Sequence, residues 1–150
     1  MLIYSRRRFI VESSSALPDI RQQVLLHAPI EKVWEIVSTS KGMESWFMPS
    51  NLEPVEGHEF ILEAGPFGQS PCKVTEVQPP HKLSFRWGKD WTLSFELVEQ
   101  AQGTDFTLIH SGWDADKLTE FGQAHAMVRE RMEQGWTGIV QKLAQVVGQA

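Results

Sequence analysis

Lys82-Leu83-Ser84-Phe85-Arg86-Trp87, then Gly88-Lys89-Asp90, then Trp91-Thr92-Leu93-Ser94-Phe95-Glu96-Leu97 is the stretch on which the fold turns. Alternation with period two places Leu83, Phe85 and Trp87 on one face of a first strand. It places Trp91, Leu93, Phe95 and Leu97 together on one face of a second. The glycine-bearing triplet between them has the composition of a hairpin turn. Two such strands share one apolar face, which needs another layer to cover it.

Downstream, Gly103 marks the next turn, and Thr104 to His110 reads as a strand with Phe106, Leu108 and His110 on one face. Upstream, Glu59 to Ala64 and Cys72 to Val77 are further strands, separated by the loop Gly65-Pro66-Phe67-Gly68 and ended by Pro79-Pro80. Ile20 to His27 is a strand closed by Ala28-Pro29. Proline is tolerated in a helix's first turn because the N–H it lacks would be unpaired there. Ile30, Val33, Trp34 and Val37 follow as one helical stripe, Ser38 to Lys41 breaks it, and Met43 to Phe47 makes a second short helix. After Ser111-Gly112-Trp113, the chain ends in a long amphipathic helix, roughly residues 123 to 147. Its stripe is Val128, Met132, Trp136, Ile139, Leu143 and Val147. Gly135 is expected to let this helix approach the sheet closely, against a propensity cost of about 1 kcal/mol. The order is strand, two short helices, five antiparallel strands and a long helix, with that last helix as the one large partner for the apolar sheet face.

Composition bounds the function. A chain of 150 residues, 41% apolar and 22% charged, fits one domain with a real core. A net charge of −5 disfavours a nucleic-acid surface, and the one basic run is Arg6-Arg7-Arg8. Ser5 to Ile10 resembles the start of a twin-arginine export signal, but Val11-Glu12-Ser13-Ser14-Ser15 cannot supply its hydrophobic region. A cytoplasmic protein is therefore expected, without membrane insertion, and residues 1 to 18 are expected to form a polar, poorly ordered extension before one domain over 19 to 150. The lone Cys72 excludes an internal disulfide and fits a reducing compartment. The five histidines are scattered, so neither a metal nor a cofactor is expected. No phosphate loop or nucleophile elbow is present.

Several motifs carry a resemblance: Ala28-Pro29-Ile30-Glu31-Lys32-Val33-Trp34, Trp46-Phe47, Val74-Thr75-Glu76-Val77 ahead of Pro79-Pro80, Lys82 to Trp87, His110-Ser111-Gly112-Trp113, and Gly135-Trp136. In this order, over Asp19 to Val147, they resemble the Hsp90-ATPase-activator homology family of the Bet v 1-like, START-type superfamily. The resemblance implies an α+β helix-grip fold: a curved six-stranded antiparallel sheet wrapped around a long C-terminal helix, with two short helices after the first strand. The family is named for two-domain eukaryotic co-chaperones, and this chain looks like the second of those domains. Single-domain bacterial relatives are regarded mainly as binders of small hydrophobic or aromatic molecules, with some enzymes among them.

A sheet curved around one helix leaves a gap, which is the expected site. Six Trp against one Tyr fits an aromatic-walled space. Phe60, Phe85, Trp87, Trp91 and Phe95 are candidate walls, Trp46 and Phe67 candidate mouth residues, and Met132 and Trp136 candidates from the helix. Each has the alternative of being packed core. His110 is the leading polar candidate, either as a ligand or proton-transfer group or as a buried histidine tied to a backbone carbonyl. Glu63, Arg86 and Glu96 are read as solvent-facing, and Cys72 as a packed thiol. The expected function is binding of a lipid- or polyketide-like ligand. The alternatives are a stress-related protein-interaction or Hsp90-type co-chaperone role, and a cyclase- or dehydratase-like enzyme using His110 in the same cavity.

Overall fold

In the computed structural model, which describes residues 15–65 and 68–149, Lys82–Trp87 and Trp91–Gln100 pair as an antiparallel hairpin. Leu83 faces Phe95, Phe85 faces Leu93 and Trp87 faces Trp91, so the apolar faces of both strands coincide. Gly88 supplies the left-handed backbone the turn requires, with φ +65°. The full element order is β1 (Ile20–Leu26), α1 (Ile30–Ser38), α2 (Ser40–Trp46), β2 (Glu59–Glu63), β3 (Gln69–Gln78), β4 (Lys82–Trp87), β5 (Trp91–Gln100), β6 (Gly103–Ser111) and α3 (His125–Gln149). The strands form one antiparallel sheet in the order β1-β6-β5-β4-β3-β2.

The sheet's inner face continues across β6, where Leu93 pairs with His110, Phe95 with Leu108 and Leu97 with Phe106. In β3 the alternation breaks. The register shifts between Val74 and Glu76, so that Val77 returns to pair with Leu83. Such a bulge bends and twists a strand, as wrapping around a helix demands. On the outer face Glu63 and Arg86 are exposed and Glu96 is half-buried, with Lys82 bridging Glu76 at 3.3 Å and Glu96 at 3.8 Å.

The helices cover the inner face. Ile30, Val33 and Val37 of α1 are buried, and Thr39 separates α1 from α2 by accepting the Gly42 N–H on its hydroxyl at 3.1 Å. Gly42 is required by contact: an added Cβ would run into the Ile36 carbonyl. In α3 the buried apolar residues are Val128, Trp136, Val140, Leu143 and Val147. Each is worth about 1.5–3 kcal/mol when fully covered. Met132 and Ile139, expected in that stripe, are partly buried, and Val140 takes the inward place beside Ile139. Gly135 does not serve close approach: it is exposed, and a Cβ there would meet nothing within 4 Å.

Part of the expected N-terminal extension is held to the domain. Leu17 N–H donates to Trp113 O at 3.0 Å, and Ala115 N–H to Ser15 O at 2.8 Å. Arg129 holds the Pro18 and Asp19 carbonyls. Backbone pairing of this kind needs no apolar pattern, which is why the sequence carries no sign of it. Residues 1–14 lie outside the described residues. No helix among the described residues is long and apolar enough to cross a membrane.

Candidate ligand-binding site

The turn end of the β4–β5 hairpin carries Trp87 and Trp91 directly opposite one another, rings 5.2 Å apart at 75°. Opposite, α3 brings in Trp136, whose indole N–H donates to His110 Nδ1 at 3.0 Å. The His110 ring stacks on Trp87 at 5.3 Å and 22°, and its carbonyl accepts the Trp113 indole N–H at 3.0 Å. Trp91 meets the same imidazole edge-on at 4.9 Å. Four indoles are thus organised around one histidine, which is fully buried. Burial first, and the charge of Arg129 second, push its imidazole down to about 3. His110 is therefore neutral at physiological pH, with Nδ1 an acceptor and the proton on Nε2.

In front of the Trp87, Trp91 and Trp136 faces lies a cleft of about 520 Å³. Met132, Gly135 and Ile139 of α3 form one wall, and Phe47 and Met48 after α2 form another. Thr119, Glu120, Phe121 and Gln123 and the β2–β3 end (Glu63, Ala64, Gly65, Ser70) form the rim. The lining is mainly apolar, with Glu63, Glu120 and Arg131 as its charged groups. A cleft this size with few polar groups has the form of a small-molecule site.

The segment from Gly112 to the start of α3 is pinned to the hairpin turn. Asp90 accepts from Lys117 Nζ at 3.2 Å, and its other oxygen lies 3.4 Å from His125 Nε2. His125 Nδ1 accepts the Asp114 N–H at 3.1 Å, which turns Nε2 toward Asp90. Gly112, at φ +97°, passes so close to the Asp90 carbonyl that a Cβ would collide with it.

The expected site residues divide. Trp87, Trp91, Met132 and Trp136 line the cleft. Phe85 and Phe95 are fully buried and pack edge-on against each other, and Trp46 packs on Phe95 and Phe106, so these three rings fill core. Phe60 is 2% exposed, packs on Phe85, and otherwise borders an open hollow of about 440 Å³ on the outer face beside Lys73 and Arg86. Phe67 lies outside the described residues. His110 stands behind the tryptophan wall, tied to an indole rather than to a backbone carbonyl. Cys72 is buried and its thiol is pushed up to about 12, chiefly by burial, which leaves it inert.

Sequence reasoning missed, among others, Phe47, Met48, Arg131 and the segment that carries Thr119, Glu120, Phe121 and Gln123. Trp46 enters the core at the end of α2, which turns Phe47 and Met48 toward the cleft; helical phase applied one residue further would have found them. The 119–123 segment has no periodicity to read. Among the described residues no group of His, Cys, Asp and Glu could hold a metal ion.

A comparison with curated proteins found no match. Among solved structures the fold is similar to protein BH1534 of Bacillus halodurans, with 49% identity and a TM-score of 0.80, covering 89% of this chain and 99% of that one. It is also similar to the Aha1 dimer of Colwellia psychrerythraea (18% identity, TM-score 0.70, 87% of this chain and 96% of that one). CalU16 of Micromonospora echinospora likewise shares the fold (22% identity, TM-score 0.64, 86% and 74%). The family model described as Activator of Hsp90 ATPase homolog 1-like protein matches residues 27–148, and the chain belongs to that family.

Proposed function

We propose that this protein binds a small hydrophobic, ring-bearing molecule in the cleft between the hairpin end of the sheet and α3. The observation that carries the reading is the cleft itself, about 520 Å³ in front of Trp87, Trp91 and Trp136. Aromatic faces held by packing on His110, and for Trp136 by a hydrogen bond to it, offer contact area at low entropic cost. The thioether side chains of Met48 and Met132 can adapt to the shape of a guest. An enzymatic role through His110 is not favoured, because the imidazole is walled off from the cleft and, pushed down to about 3, is too weak a base to take a proton near neutral pH.

The test is a thermal-shift screen of aromatic, polyketide-like and lipid-like compounds. A ligand at a hundred times its dissociation constant adds about 2.7 kcal/mol, or roughly 5–10 °C for a domain of this size. Gly135→Trp places an indole where the structure has open space. Hits should lose their shift in this plugged variant. Hits that stabilise it as well as the parent protein would overturn the assignment of the cleft.

A further inference from the structure

Resting on that reading, we infer that the cleft selects an acidic ligand, an aromatic carboxylate or similar anion, whose charged head pairs with Arg131. Arg131 is exposed on α3 and lines the cleft. Its neighbours one helical turn away are Met127, Val128, Gln134 and Gly135, none of which can form an ion pair with it. It makes no hydrogen bond or ion pair among the described residues. Arg129, two residues earlier, shows the contrast: it holds the Pro18 and Asp19 carbonyls and pairs with Glu133 at 3.3 Å.

Gly135 sits one turn beyond Arg131 on the same face and also lines the cleft, and a Cβ there would meet nothing within 4 Å. The helix thus presents a guanidinium beside an unfilled space. The fork of a guanidinium matches a carboxylate with two parallel hydrogen bonds, while the apolar body of the same molecule would lie against Met132 and Trp136. Two carboxylates, Glu63 and Glu120, also line the cleft. Glu63 already accepts the Gln69 amide on both oxygens, at 3.1 and 3.4 Å. Glu120 rests over Gly88 on the segment between Gly112 and Gly122, whereas Arg131 is carried by a helix, the more rigid support.

Calorimetric titration with three matched probes, 2-naphthoate, 2-naphthalenemethanol and 2-naphthylmethylamine, at low salt tests this. The carboxylate should bind at least tenfold tighter than the alcohol. That advantage should vanish in Arg131→Gln, be partly kept in Arg131→Lys, and shrink as salt is raised. The alcohol should lose less affinity in Arg131→Gln than the carboxylate does, and an unchanged unfolding midpoint of the variant reports that the fold is intact. Equal binding of acid and alcohol, or tightest binding of the amine, would overturn the inference and leave the ligand reading standing. Binding of none of the three, with an empty thermal-shift screen, would overturn both.

Discussion

His110 shows how one residue stiffens a binding wall without touching what is bound. Its ring accepts from Trp136, stacks on Trp87 and stands edge-on to Trp91, the three indoles that line the cleft. His110→Phe should leave the Trp136 indole N–H buried without an acceptor and lower stability by about 1–3 kcal/mol in urea titrations. The pH dependence has a definite sign. A histidine in the unfolded chain titrates near 6.5, whereas folded His110 stays neutral down to about 3. Between those values the unfolded state binds the extra proton, so stability is lost as pH falls below 6.5. The loss is at most about 1.4 kcal/mol per pH unit from this group. The difference between parent and His110→Phe, followed from pH 7 to 4, isolates it; parallel curves would show that His110 does not titrate this way. At the same scale, Phe85→Ala should cost about 3–5 kcal/mol as a core deletion while ligand affinity of the folded fraction changes little. Trp91→Ala should chiefly weaken binding.

At the scale of elements, α3 serves two functions along its length. Leu143 and Val147 pack as core, whereas Met132, Gly135 and Ile139 face the cleft. Because Gly135 is exposed and unopposed, Gly135→Ala should raise stability by about 0.5–1 kcal/mol through helix propensity alone, measured as a higher midpoint with an unchanged denaturant slope. Gly42→Ala should do the reverse, because the Ile36 carbonyl occupies the space. The segment leading into α3 is held by Asp90 through Lys117 and the buried His125. Asp90→Ala should therefore speed amide exchange across residues 113 to 124 and leave β5 and β6 protected. The Lys117 pair is exposed and contributes at most about 1 kcal/mol.

For the whole molecule, the layer order was legible because alternation in β4 and β5 and the stripe of α3 are physical consequences of one apolar face. What stayed hidden depends on contacts between distant segments. The β3 bulge resets the phase after Val74, and the Leu17–Trp113 pairing has no sequence period. Alternation shows that Phe85 and Trp87 point inward but not how far each lies from the open end of the sheet. That distance decides that one is core and the other wall. Gly135 misled for a related reason: a helix glycine marks either close approach or open space, and only the packing tells which.

The six tryptophans make ligand binding in the cleft directly measurable, since each contributes one indole N–H signal. In a two-dimensional ¹⁵N–¹H spectrum titrated with 2-naphthoate, the indole signals of Trp87, Trp91 and Trp136 and the Gly135 amide should shift together. Those of Trp34 and Trp46 should hold still. Shifts confined to the outer-face hollow around Lys73 and Arg86, with the three cleft indoles unmoved, would contradict binding in the cleft.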